Sequence, residues 1–93
     1  RAMSDTRTTR LTDIAAAAAG LLRAGIDARH LRAWRTSVER EVGLYEQLVM
    51  PLLRQRNPQA RTHVVSQLEE LNSLGAKLRS ALLRAAVHEQ LDL

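Results

Sequence analysis

One unbroken helical pattern occupies the C-terminal part of this sequence and constrains its fold more than any other feature. Arg56-Asn57-Pro58 interrupts the chain, with Asn57 as an N-cap and Pro58 at the first helical position, and no proline follows. Apolar positions then alternate in steps of four and three residues to about Gln90, which is typical of a long helix that packs lengthwise against another. These positions, which we call the seam, are Val64, Leu68, Leu71, Gly75, Leu78, Leu82 and Ala85.

The length of this predicted helix conflicts with the size of the chain. About 33 residues at about 1.5 Å each make a helix of roughly 50 Å, whereas a compact 93-residue monomer has a diameter of roughly 30 Å. An apolar seam left in water forgoes about 25 cal/mol per Å². We therefore predict a homodimer in which a second copy covers the seam, aided by the preceding helix, with parallel and antiparallel pairing both open. Gly75 would allow close approach of the two copies, although a tolerated glycine is the alternative.

A second long helix is predicted before this one. It begins after Asp27, a candidate N-cap, and one apolar stripe follows it for about six turns. Pro51 lacks an amide hydrogen, so the helix either stops near Met50 or kinks. We favour a kinked helix that reaches about Gln55.

The N-terminal segment predicts a tail followed by a short first helix. Residues 1–11 are polar and lack periodicity, which indicates a flexible tail or linker, and residues 1–3 resemble a vector remnant. The helix is expected from about Asp13 to Ala24, with Thr12 as N-cap and Gly25 in the left-handed conformation after its end. The prediction is an all-α chain of three helices in an antiparallel arrangement, with residues 12–93 as one helical dimerisation and effector domain.

Composition supports the helical class and excludes several functions. Sixteen leucines, fourteen alanines and no phenylalanine favour helices over sheets. The chain has no cysteine, its three histidines His30, His63 and His88 lie on separate segments, and it has no phosphate-binding loop or nucleophile motif. We predict no enzymatic activity, no metal and no cofactor. No apolar run approaches the roughly 20 residues of a membrane span, and we expect a cytoplasmic protein.

The two aromatic side chains offer one candidate ligand site. Trp34 and Tyr45 lie about three turns apart on the stripe of the second helix, and His30 precedes them. They could form the wall of a pocket for a small effector whose identity the sequence does not give. The alternative is that they are the largest core fillers of a chain without phenylalanine.

The segment from Leu21 to Trp34 has the outline of a helix-turn-helix, with leucines before Gly25 and several arginines on the following helix. Those arginines could contact DNA phosphates. The alternative is a simple corner between two helices, since the second helix is long and apolar. The formal charge of +4 attracts anionic partners but carries no sequence recognition.

The same segment carries a family resemblance. Its pattern Leu-x-x-x-Gly-Ile-x-x-x-x-Leu-x-x-Trp resembles the stretch that follows the winged helix-turn-helix in MerR-type transcription regulators. The run from about Arg10 to Leu91, especially residues 24–32 and 53–58, is similar to the C-terminal half of an actinobacterial branch of that family. The resemblance implies homodimers that bind promoter DNA through an N-terminal head, which we expect to be missing from this chain, and a link to the control of cell-division genes.

The function predicted from these observations is dimerisation, with effector sensing as a second role, in a MerR-like DNA-binding regulator. A free-standing helical module that binds another protein is the alternative. Small all-α chorismate mutases have a similar size, but their long first helix carries a lysine, whereas the only lysine here is Lys77 in the third helix.

Overall fold

The computed structural model describes the backbone of residues 2–93 and the side chains from residue 6 onward, and within this range its regular structure is entirely helical. Helix α1 comprises Ala2–Arg23, α2 Ala28–Leu53 and α3 Pro58–Leu91. The predicted all-α class and the long C-terminal helix are confirmed for the described residues, while the antiparallel arrangement stays a prediction. The chain divides into two compact units, one ending at Arg40 and the other comprising residues 41–93.

Helix α1 begins about eleven residues earlier than the sequence pattern predicted. The predicted helix start near Asp13 is wrong, because the backbone of residues 2–12 is already part of α1, and Arg1 lies outside the described residues. Thr12 is not an N-cap, because it lies inside α1 and its hydroxyl donates a hydrogen bond to the Thr8 carbonyl at 2.9 Å. The segment contains neither proline nor glycine, so no helix breaker separates it from the rest of α1, although it has no apolar stripe.

The turn between α1 and α2 follows the predicted capping chemistry. Gly25 has φ +108°, its amide donates to the Leu22 carbonyl, and the Ile26 amide donates to the Leu21 carbonyl at 3.0 Å. This pair of bonds is the Schellman motif, which needs a residue with positive φ. Asp27 is confirmed as the N-cap of α2, since its carboxylate accepts from the Arg29 amide at 3.0 Å.

Helix α2 continues through Pro51 and ends at Leu53, two residues before the predicted end. The following helix starts as predicted: Asn57 accepts a hydrogen bond from the Ala60 amide at 2.7 Å, and Pro58 occupies the first helical position. Helix α3 then runs uninterrupted for 34 residues. At about 1.5 Å per residue it is roughly 51 Å long.

The buried apolar side chains of the described residues all lie in the second unit, where they belong to α2 and α3: Val49, Ala60 and Val64. In the first unit Leu21, Ile26 and Leu31 are only half-buried. Much of the apolar surface of the described chain therefore remains in contact with water.

Candidate interaction surface on the C-terminal helix

The structure divides the predicted seam into two halves. In the first half Val64 is buried, and Leu68, Leu71 and Gly75 are half-buried. In the second half Leu78 is 61% and Leu82 60% exposed, and Ala85 is exposed as well. The seam residues therefore have two different environments within one helix.

The first half of the seam is covered by α2 of the same chain. The Tyr45 hydroxyl, whose single hydrogen is shared between two acceptors, lies 3.2 Å from the Leu71 carbonyl oxygen. It also lies so close to Gly75 that a Cβ atom there would be 2.6 Å from the hydroxyl oxygen. Gly75 thus permits the close approach of Tyr45 of its own chain, whereas the approach of a second copy at Gly75 stays a prediction.

A small polar cluster joins α2 and α3 beside this contact, and we call Glu41, Tyr45 and Arg79 the Tyr45 cluster. The Tyr45 hydroxyl donates to Glu41 Oε2 at 2.6 Å, and the Arg79 guanidinium donates to Glu41 Oε1 at 2.5 Å. The hydrogen bond from Tyr45, followed by that from Arg79, lowers the pKa of Glu41. The hydrogen bond to Glu41, together with desolvation, raises the pKa of Tyr45. Both shifts favour the pair of ionised carboxylate and neutral phenol.

This cluster makes the stability of the protein depend on pH in a defined direction. Because the folded-state pKa of Glu41 lies below its usual value of 4.5, the ionised carboxylate stabilises the folded state above that pH, and this contribution is lost as the pH falls through the lower folded-state pKa. We expect the stability difference between the native protein and Glu41→Gln to shrink between pH 6 and pH 3. Urea unfolding of both proteins across this range measures it, and a constant difference would contradict the assignment.

The second half of the seam is flanked by positive charge. No aspartate or glutamate lies between Glu70 and Glu89, whereas this stretch contains Lys77, Arg79 and Arg84. Leu74, 54% exposed, adds to the apolar surface on this side. We call the surface formed by Leu74, Leu78, Leu82 and Ala85 the exposed seam. A long apolar strip with a basic border is typical of a surface that packs against another helix.

The residues of the predicted effector pocket are not gathered into one described cleft. His30 and Trp34 lie in the first unit and are exposed, Trp34 by 50%, whereas Tyr45 lies in the second unit and its hydroxyl is already engaged. Two shallow clefts of the second unit contain none of the three. One is lined by Leu53, Arg56, Asn57, Pro58 and Arg61, and the other by Gly43, Glu46, Gln47, Met50, Pro51 and Arg54. The pocket stays a prediction.

Among the arginines of the predicted helix-turn-helix outline, Arg29 contacts Asp27 at 3.6 Å and Arg35 contacts Glu39 at 3.9 Å, and all four side chains are largely exposed. Exposed pairs of this kind contribute little to stability. Within the residues that the structure describes, no three acidic or histidine side chains are grouped to hold a metal ion, and no helix could cross a membrane.

Sequence reasoning missed the Tyr45 cluster. The spacing of Glu41 and Tyr45, four residues apart on a helix, indicates a local contact. The partner residues on α3 lie 26 and 38 positions further along the chain. No local pattern reports contacts at that separation.

These features define a helical domain with an apolar helix surface that the described residues leave exposed. Residues 5–91 match the Rv1828-like C-terminal domain family, and the chain belongs to this family. The match includes most of the segment predicted as a tail.

Two relatives are named as uncharacterised HTH-type transcriptional regulators, Mb1859 of Mycobacterium bovis and Rv1828 of Mycobacterium tuberculosis. Each is 31% identical to this chain over 67 residues, which cover 72% of this chain and 27% of the relative. The chain thus spans about a quarter of the length of these relatives. No solved structure gives a significant match.

Proposed function

We propose that this chain is the homodimerisation domain of a helix-turn-helix transcription regulator, and that it has no enzymatic role. The observation that carries the proposal is the exposed seam, where Leu78 and Leu82 are each about three-fifths exposed on the same face as the buried Val64. An exposed apolar strip of this length on a water-soluble helix is stabilised when a second surface covers it.

The comparisons support the regulator part of the proposal. The chain belongs to a C-terminal domain family, and the relatives that it matches are named HTH-type regulators of about four times the aligned length. DNA recognition then belongs to a helix-turn-helix head in another part of the protein. A symmetric dimer places two such heads on two half-sites, which is how these motifs gain affinity and specificity.

The resemblance to MerR-type regulators supports three finer parts of the proposal: membership of that family, sensing of a small effector, and control of cell-division genes. This chain differs from the metal-responsive members of that family because it lacks their metal-sensing cysteines. We carry no metal ligand and no base-reading residue over to this chain.

A fusion experiment tests the proposed role directly. The chain is joined to a helix-turn-helix head that binds its palindromic operator only as a dimer and that lacks its own dimerisation domain. We expect the fusion to occupy the operator at concentrations at least about tenfold below those needed by the isolated head. Light scattering of the chain alone is expected to give twice its mass of 10.4 kDa. A monomer that leaves operator binding unchanged would overturn the proposal in favour of a module for a different partner.

A further inference from the structure

Two charged stripes in this chain have matching spacing and opposite sign. On α2, Glu39 and Glu46 lie seven residues apart, and on α3, Lys77 and Arg84 also lie seven residues apart. Seven residues are about two helical turns, so each pair shares one face of its helix. Each pair is separated by roughly 10.5 Å along the axis at about 1.5 Å per residue.

Apolar residues occupy the remaining positions of both stripes. The α2 stripe contains Val42, 46% exposed, and Met50, 41% exposed. The α3 stripe contains Leu74, 54% exposed, and Ala81. In full, the α2 stripe is Glu39, Val42, Glu46 and Met50, and the α3 stripe is Leu74, Lys77, Ala81 and Arg84.

These charged side chains form few polar contacts within their own chain. Glu46, Lys77 and Arg84 have no hydrogen-bond or ion-pair partner among the described residues, and Glu39 has only the exposed contact with Arg35 at 3.9 Å. The α2 stripe also borders the shallow cleft that contains Gly43. A Cβ atom at Gly43 would meet nothing within 4 Å, so the surface is open there to an approaching helix.

From this match we infer that in the homodimer the α2 stripe of one copy packs antiparallel against the α3 stripe of the other. With the helices antiparallel, Glu39 faces Arg84 of the second copy, and Glu46 faces Lys77 of the second copy. In the same register the apolar positions of the two stripes face each other, Val42 opposite Ala81 and Met50 opposite Leu74.

Parallel packing does not give the same agreement. It also allows both charge pairs, but it then places Met50 opposite His88 and leaves Leu74 beyond the end of the acidic stripe. A second copy of the chain is favoured over an unrelated partner because the complementary surface is present in this sequence, and because two-fold symmetry forms every contact twice. The inference rests on the proposed homodimer. It adds to the exposed seam a second contact, between the α2 stripe and the α3 stripe, which shares Leu74 with the seam, and it gives the direction in which these stripes run.

Disulfide mapping tests the inference. The chain contains no native cysteine, so every disulfide that forms joins introduced cysteines. Met50→Cys and Leu74→Cys are prepared as separate proteins, mixed under conditions that allow dimers to exchange, and oxidised. Only an intermolecular disulfide can join the two variants. We expect at least about five times as much disulfide-linked product from this mixture as from Met50→Cys mixed with His88→Cys. The second mixture contains the pair of residues that parallel packing would bring together. Leu44→Cys mixed with Leu74→Cys is the control for the opposite side of α2.

Charge reversal supplies an independent readout. Glu46→Lys and Lys77→Glu are each expected to raise the dimer dissociation constant about tenfold, because each places two like-charged pairs at the interface. The double variant is expected to return to within about threefold of the native value. Glu69→Lys makes the same change of charge on an exposed part of α3 outside the stripe and is expected to have little effect.

The outcomes separate this inference from the proposed function. A native chain that is monomeric by light scattering overturns the homodimer and the inference together. A native dimer in which the parallel or Leu44 pair is linked as well as the antiparallel pair, or in which the double charge reversal fails to restore dimerisation, overturns the inference alone.

Discussion

Leu78→Glu is expected to convert the proposed homodimer into monomers, with a dissociation constant raised at least about a hundredfold. Leu78 is 61% exposed in the single chain, so a glutamate there remains hydrated in the monomer. In the dimer the carboxylate would be buried in an apolar surface, and two-fold symmetry introduces it twice. Light scattering across a concentration series measures the shift.

Leu44→Glu is the matched control for this substitution. Leu44 is 62% exposed and lies on α2, away from the face that carries Tyr45 and Val49. The two variants therefore make the same chemical change at the same exposure, and both should keep the helical circular dichroism of the native protein. Equal masses for both variants and the native dimer would show that the exposed seam is not the interface.

Leu71→Glu is a less informative test, although the seam pattern alone makes it equivalent to Leu78→Glu. Leu71 is half-buried against α2, and its carbonyl accepts a hydrogen bond from Tyr45. A carboxylate there disturbs the packing within one chain, so loss of the dimer and loss of the fold would occur together.

The long C-terminal helix was predictable because its signals are local. Asn57 and Pro58 define its start, and a four-and-three repeat of apolar residues defines its face. What covers that face was not predictable. A repeat identifies which side of a helix avoids water. The same leucines can pack equally well against a helix of the same chain or against a helix of a second copy. Here α2 covers Val64 and the positions near it, and Leu78 and Leu82 stay exposed.

The wrong start of the first helix and the failure to foresee the Tyr45 cluster have related causes. Residues 2–11 form a helix without an apolar stripe, so periodicity, the main sequence signal for secondary structure, was absent there. The stripe that the two aromatic residues share on α2 predicts a common pocket wall, which no contact of the described residues tests. The structure gives Tyr45 a hydrogen-bonding role toward α3 that depends on tertiary contacts.

Gly75→Ala is expected to destabilise the protein by about 1 kcal/mol, although alanine is the better helix former by about the same amount. The new Cβ atom would lie 2.6 Å from the Tyr45 hydroxyl and 3.1 Å from Glu41 Oε2. The rigid tyrosine ring cannot yield at its tip alone, so the hydroxyl must move away from Glu41 and from the Leu71 carbonyl. The cost of this displacement exceeds the gain in helix propensity. Urea unfolding at a fixed chain concentration measures the change.

The sign of this effect should reverse when the hydroxyl is removed. In a Tyr45→Phe background the closest atom to the new Cβ is absent, and Glu41 Oε2 is freed from the hydrogen bond that holds it near Gly75. Gly75→Ala is then expected to stabilise the protein by about 1 kcal/mol, which is the ordinary gain of alanine over glycine in a helix. The coupling of about 2 kcal/mol between the two positions isolates the contact, as a double-mutant cycle requires. If Gly75→Ala has the same effect in both backgrounds, the glycine serves a purpose other than the approach of Tyr45, and the packing of α2 on α3 described here would need revision.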